Sequence, residues 1–99
     1  MQTVLIEYVI AETTPIERVE AELRTFIAGI AALGVGIRYA SHRKRDIPRA
    51  YAHVAHIPDK QASVTLQAAP FFSHFTSFLS TVCESKPRVT TLDVVATTE

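Results

Sequence analysis

Four short stretches of the chain are rich in β-branched, aromatic and other apolar residues and predict β-strands. They lie at residues 3–11, 37–43, 50–57 and 89–96. The second and third are separated only by the polar stretch 44–49, so we expect them to form a hairpin. The first and last have apolar residues at both odd and even positions, which is typical of strands with two covered faces.

Two longer segments have apolar residues at steps of three and four, the spacing of one helical face. The first extends from Ile16 to Leu33. It is preceded by Thr14, and Glu17 follows three positions later, which predicts a capping box at the start of the helix. Beyond the helix, Gly34 is of the residue type that most often ends one.

The second helical segment begins at Pro70 and ends before Pro87, while residues 59–69 predict only a short helical turn around 62–66. The order β-α-β-β-α-β predicts an α+β, ferredoxin-like fold with a four-stranded antiparallel sheet. Two helices can cover one face of such a sheet. Because the strands are apolar on both faces, we expect a second copy of the chain to cover the open sheet face in a homodimer.

Length and charge restrict the class of protein. The chain has 99 residues, enough for a single domain, with 10 basic and 10 acidic side chains. A zero net charge argues against a nucleic-acid binder and a polybasic membrane anchor. No run approaches the roughly 20 apolar residues of a membrane span. The single cysteine, Cys83, is compatible with a reducing cytoplasmic location.

Four stretches resemble the dimeric α/β-barrel superfamily, and within it the antibiotic-biosynthesis-monooxygenase-like proteins. They are residues 36–39 (GIRY), 51–54 (YAHV), 69–75 (APFFSHF) and 86–89 (KPRV). The resemblance covers essentially the whole chain. It implies a dimer with ligand cavities between each sheet and its own helices. It also implies, for some members, oxygenation of quinol-like aromatics without metal, flavin or any other cofactor.

The chain departs from the enzymes of this superfamily at three places. Many members have an acidic residue in the third strand and a His just before the second helix. Here the third strand contains His53 and His56 but no acid, and residues 66–69 contain no His. The heme-degrading members use a Trp, which this chain lacks.

Tyr51 and His53 are the candidate site residues of the third strand. They share one face with Ala55 because side chains alternate along a strand. If this face borders a cavity, Tyr51 could bind a phenolic substrate and His53 could remove its proton, since the reference pKa of His is near 6.5. A His satisfied by a neighbour or by a dimer partner is the structural alternative.

His74 is the second candidate catalytic residue, at the start of the second helix. Phe71 and Phe75 beside it could hold an aromatic ligand, although such a stripe also serves as plain core. Arg38 could hold an anionic oxygen of the substrate or form a salt bridge. We expect no metal site, because the two His of the third strand point to opposite faces.

These observations leave three hypotheses. The first is a cofactor-free monooxygenase-like enzyme that acts on a small aromatic or quinol. The second is a non-catalytic dimer that binds a small ligand or has a structural role. The third is polyanion binding by the basic stretch around residues 43–45.

Overall fold

The computed structural model describes residues 1–98 and confirms the predicted order of strands. The strands are β1 (Gln2–Val9), β2 (Arg38–Arg43), β3 (Ala50–Ile57) and β4 (Arg88–Leu92), and the helices are α1 (Ile16–Leu33), α2 (Lys60–Ala68) and α3 (Pro70–Val82). The short turn predicted around 62–66 is in fact the full helix α2. Asp59 caps it by accepting a hydrogen bond from the Ala62 N–H at 2.8 Å.

The four strands form one antiparallel sheet in the order β2-β3-β1-β4. The predicted hairpin of β2 and β3 is present, and the ferredoxin-like fold is confirmed. β1 lies in the centre and pairs with β3 along its whole length, from Gln2 opposite Ile57 to Val9 opposite Ala50. This pairing brings residues from the start and the middle of the chain together at the centre of the sheet, where the site lies.

The last strand is shorter than predicted. β4 ends at Leu92 instead of residue 96. Leu92 lies opposite Thr3 of β1, and the two strands run in opposite directions. In this register the next residue, Asp93, would lie opposite Gln2, the first residue of β1. β4 thus ends within one residue of the point where β1 begins.

The start of α1 also differs from the prediction. Pro15 is the N-cap residue, in an extended conformation, and no side chain caps the helix. The predicted capping box of Thr14 and Glu17 is therefore wrong. The Thr14 carbonyl instead accepts a hydrogen bond from the Arg49 guanidinium, which also binds the Ala11 carbonyl at 2.6 Å. At the other end, Gly34 adopts a left-handed conformation with φ 64°, as a helix-ending residue should.

Alternation along β3 places one face of the strand in the core and the other on the open side of the sheet. Tyr51, His53 and Ala55 are buried beneath the helices, whereas Val54 and His56 are only half-buried on the opposite face. Within residues 1–98, all three helices lie on the first face, as contacts of the core show. None of the described helices is long and apolar enough to span a membrane.

Candidate active site

His53 is the central polar residue of the core. Its side chain is fully buried, with 0% exposure. The Nε2 atom lies 2.6 Å from the Tyr8 hydroxyl oxygen, and the Nδ1 atom lies 2.7 Å from the Tyr39 hydroxyl oxygen. Both ring nitrogens are therefore satisfied by tyrosine hydroxyls, and the three side chains form one hydrogen-bonded chain across the sheet.

Strand register explains how these three side chains come within hydrogen-bonding distance. His53 lies opposite Ile6 of β1 and Ser41 of β2. Tyr8 is two residues from Ile6 and Tyr39 is two residues from Ser41, so both point to the same face as His53. Diagonal neighbours on one face of a sheet are within reach of long aromatic side chains. The two tyrosines therefore meet the imidazole from opposite sides.

All three groups are neutral at neutral pH. Burial lowers the pKa of His53 to about 4, with a smaller effect from the charge of His42. Burial likewise raises the pKa of Tyr8 and of Tyr39 above the usual range of a phenol. A neutral His53 is what proton removal requires. Both of its nitrogens are already bonded, however, so direct proton removal would first require one of these bonds to break.

A cavity of about 560 Å³ lies beside His53, between the sheet and helices α2 and α3. Its walls are mostly apolar, and its main apolar residues are Val4, Ile6, Phe26, Leu66, Phe72, Phe75 and Leu79. Tyr39 and His53 supply polar groups at its inner end. The exposed side chains of Gln2, Gln67 and Lys86 also line it and mark its entrance. This volume lies within the range of small-molecule sites, roughly 300–1,000 Å³.

The two phenylalanines predicted to bind a ligand differ in position. Phe75 lines the cavity and stacks on Phe26, with ring centroids 4.2 Å apart. Phe71 does not line it. Its ring packs so closely against Gly29 of α1 that a Cβ atom there would lie 2.9 Å from the ring. Phe71 therefore closes the contact between α1 and α3, and of these two phenylalanines only Phe75 can touch a ligand in this cavity.

His74 does not join His53. Its side chain is 66% exposed, and its Nε2 atom lies 3.1 Å from a carboxylate oxygen of Glu22 on α1. The buried face of α3 contains Phe75, and the neighbouring position 74 is about 100° around the helix. The sequence placed His74 close to the core stripe, but the helix turns it outward. The geometry thus gives no support to its predicted catalytic role.

Tyr51 belongs to a different part of the molecule. Its hydroxyl donates a hydrogen bond to Glu20 at 2.9 Å, and Glu20 also pairs with Arg43 at 3.4 Å and Arg24 at 3.8 Å. These residues line an open groove of about 610 Å³ between α1 and β2. Burial and Glu20 raise the pKa of Tyr51 to about 12. Tyr51 shares a strand face with His53, yet it does not line the same cavity.

Arg38 lies outside both cavities, and of the basic stretch at residues 43–45 only Arg43 lines the groove. Arg38 is exposed on β2 opposite His56, so its side chain faces the open side of the sheet and not the helices. In the basic stretch, Lys44 forms a 2.8 Å ion pair with Glu7. Arg43 pairs with Glu20, so the positive charges of Arg43 and Lys44 are both partly neutralised. The structure gives the polyanion hypothesis no supporting observation.

The two His of β3 point to opposite faces, as alternation predicts. His53 faces the helices, and the Nδ1 atom of His56 lies 3.2 Å from the Thr3 hydroxyl on the open face. Across residues 1–98, no group of three or more His, Cys, Asp or Glu side chains is arranged to hold a metal ion.

Sequence reasoning missed Tyr8 and Tyr39, which bind His53, and Phe26, which lines the cavity. Hairpin pairing of β2 with β3 could have placed Tyr39 near His53. Nothing local in the sequence indicates Tyr8, because its proximity depends on β1 lying next to β3.

No protein-family model matches the chain, and no curated protein matches it. Solved structures do. A structure described as an antibiotic biosynthesis monooxygenase is 17% identical, with a TM-score of 0.86 over 97% of this chain and 100% of that one. SnoaB from Streptomyces nogalater, described as a cofactor-independent oxygenase, is 18% identical, with a TM-score of 0.81 over 98% and 95%.

Rv0793 from Mycobacterium tuberculosis is 14% identical, with a TM-score of 0.85 over 99% of this chain and 98% of that one. These likenesses extend over nearly the full length of each chain. The chain therefore has the fold of the antibiotic-biosynthesis-monooxygenase-like structures.

Proposed function

We propose that the cavity beside His53 binds a small phenol or quinol and that the protein promotes its oxygenation by O₂ without a cofactor. The observation that carries this proposal is the Tyr39 hydroxyl, held by a buried neutral His53 at the inner end of an apolar cavity. The fold shared with a cofactor-independent oxygenase supports it.

In this proposal the substrate binds as its phenolate. The Tyr39 hydroxyl donates a hydrogen bond to the phenolate oxygen, and Phe75 and Phe72 contact the ring. Lys86 is the only cationic side chain that lines the cavity in the described chain, and it lies on the side open to solvent. It favours entry of an anion. The apolar walls exclude water from the reacting oxygen species.

The reaction needs no external reductant because the substrate supplies all of the electrons. The phenolate transfers electron density to O₂, and a bond forms between a ring carbon and oxygen. The O–O bond then breaks. One oxygen atom remains on the ring as the new carbonyl of a quinone. The other leaves as water with two hydrogens, one from the ring carbon and one from the original hydroxyl.

Oxygen uptake across a panel of phenols and quinols tests the proposal. Tyr39→Phe removes only the hydroxyl that holds the substrate, and we expect it to reduce kcat/KM by about tenfold or more, the typical size of a lost hydrogen bond to a charged group. Tyr51→Phe is the matched control. It removes a hydroxyl from the same face of the sheet, but outside the cavity. We expect it to leave kcat/KM unchanged.

Equal losses in the two variants would contradict the assignment of this cavity. The pH dependence gives a second test. If the enzyme binds phenolate, the midpoint of kcat/KM should follow the pKa of the substrate hydroxyl from one substrate to the next. A midpoint near the low pKa of His53 for every substrate would instead indicate that His53 removes the proton.

Binding without catalysis is the second candidate function. It is favoured by a specific observation: both nitrogens of His53 are occupied, so the site has no free base. This alternative predicts that phenols raise the midpoint temperature of unfolding and are recovered unchanged after incubation in air. Formation of any quinone above the rate of the uncatalysed reaction would eliminate it.

We also propose that the protein is a homodimer through the open sheet face. Leu5, Val54 and Ala52 lie side by side there and are only half-buried, with no described helix above them. Light scattering after size exclusion should give twice the mass of one chain. Val54→Asp should yield a folded monomer, because a charge at the centre of this face opposes its burial. A wild-type monomer would contradict the proposal.

A further inference from the structure

The hydrogen atoms shared by Tyr8, His53 and Tyr39 can be arranged in two ways. A neutral imidazole has one N–H donor and one acceptor nitrogen. In the first arrangement Tyr8 donates to Nε2, and the Nδ1–H group donates to the Tyr39 oxygen. In the second, Tyr39 donates to Nδ1, and the Nε2–H group donates to the Tyr8 oxygen. The two distances, 2.6 Å and 2.7 Å, fit either arrangement.

The surroundings of the two tyrosines decide between these arrangements. Tyr8 is buried, does not line the cavity, and has His53 as the only hydrogen-bond partner of its hydroxyl among the described residues. In the second arrangement its hydroxyl hydrogen would be buried without an acceptor, which is costly. Tyr39 lines the cavity, so in the first arrangement its hydrogen can bind water or a ligand there.

We propose that Tyr8 is a positioning residue that fixes His53 as the Nδ1–H tautomer, so that Tyr39 presents its hydroxyl hydrogen to the cavity. The cavity then selects ligands whose buried end carries an acceptor oxygen, such as a phenolate or a ketone, over ligands that offer only a donor. This selectivity rests on the proposed function only in that the same cavity binds the ligand. The tautomer itself does not depend on catalysis.

The tautomer can be measured directly by ¹⁵N NMR on protein labelled at histidine, because protonated and unprotonated ring nitrogens have well-separated shifts. The His53 resonance can be assigned by comparison with His53→Gln. We expect an unprotonated Nε2 and a protonated Nδ1 in the wild type. In Tyr8→Phe the Nε2–H form should become detectable, while Tyr51→Phe should match the wild type. A protonated Nε2 in the wild type, or an unchanged tautomer in Tyr8→Phe, would overturn the proposal.

Ligand selectivity gives an independent readout with two bicyclic probes of similar shape. 1-Tetralone offers an acceptor oxygen, and 1,2,3,4-tetrahydroquinoline offers an N–H donor. We expect the wild type to bind the ketone about five- to tenfold more tightly, the size of one net hydrogen bond. The preference should be lost in Tyr39→Phe and reduced in Tyr8→Phe. A preference for tetrahydroquinoline, or none, would contradict the selectivity even if the tautomer is as proposed.

Failure of this inference can be separated from failure of the proposed oxygenation. The Nδ1–H tautomer and the ketone preference without any oxygen uptake would support the inference and contradict the oxygenase. Oxygen uptake with the Nε2–H tautomer would support the oxygenase and contradict the inference about the tautomer.

Discussion

His53 and Tyr51 lie two residues apart on the same face of β3, yet they belong to chemically different surroundings. His53 is bound by two neutral hydroxyls in a closed apolar layer. The Tyr51 hydroxyl donates a hydrogen bond to Glu20, which also pairs with two arginines at the edge of an open groove. The His53 side chain is shielded from solvent, whereas the arginines that pair with Glu20 are mostly exposed to it.

Strand alternation determines which side chains of β3 face the helices. The partners of each side chain then determine its pKa and whether it lies in a neutral or an ionic environment. Burial lowers the pKa of His53, because a buried imidazolium would lose its hydration, and the charge of His42 lowers it further. At Tyr51, burial and an anion together raise the pKa of the phenol. The same face of one strand thus holds a neutral binding group and an ionic network.

The largest expected difference between the regions is in stability. His53→Ala removes a fully buried ring and leaves the buried Tyr8 hydroxyl and the half-buried Tyr39 hydroxyl without their partner, so we expect a loss of about 3–5 kcal/mol in the free energy of unfolding. Tyr51→Phe should cost about 1 kcal/mol, since its hydroxyl lies beside the open groove. Urea denaturation measures both values. If His53→Ala does not fold, His53→Gln retains polar atoms and should lose less.

A smaller cost for His53→Ala than for Tyr51→Phe would contradict the importance of the buried chain of hydrogen bonds. It would place the more important polar interaction at the groove.

A second difference concerns pH. The folded protein holds the pKa of His53 at about 4, whereas an unfolded chain has the ordinary value near 6.5. The unfolded chain therefore binds this proton first as the pH falls, and stability is lost between about pH 6.5 and pH 4. By pH 5 we expect about 2 kcal/mol of loss from this residue. Urea denaturation at several pH values measures it.

The control for this prediction is His53→Gln, which cannot titrate and should lack this part of the pH dependence. Tyr51→Phe should keep it. Equal pH dependence in the wild type and His53→Gln would show that His53 is not protonated differently in the two states.

The smallest expected effect is at the groove. The ion pairs of Glu20 involve arginine side chains that are mostly exposed, and such pairs contribute about 0–1 kcal/mol. Glu20→Gln should therefore cost less than about 1 kcal/mol, and the cost should shrink at high salt. A loss larger than that of His53→Gln would reverse the comparison. Urea denaturation at low and high salt distinguishes the two results.

The fold could be predicted from the sequence because strand and helix periodicity are local. Pro70 correctly marked the start of α3, and alternation correctly placed Tyr51 and His53 on one face. The end of β4 could not be found this way, because the residues after Leu92 include the strand-forming Val94 and Val95, and the extent of the strand depends on its pairing with β1.

The candidate site could be predicted only in part. His53 and Phe75 line the cavity, whereas His74 turns away from it because one helical position changes the direction of a side chain by about 100°. Tyr8 reaches His53 through the pairing of β1 with β3, two strands that are distant in sequence. Such a contact is fixed by strand order and register, which single-residue patterns do not contain.

We propose that ligands bind in the cavity beside His53 and not in the groove beside Tyr51. Chemical-shift mapping with 1-naphthol on ¹⁵N-labelled protein tests it most directly. We expect saturable shifts at Leu66, Phe72 and Leu79, which line only the cavity, with little change at Arg24 and Glu20, which line only the groove. Tyr39→Phe should weaken the binding that these shifts report. Shifts confined to the groove, or none at saturating 1-naphthol, would contradict the account.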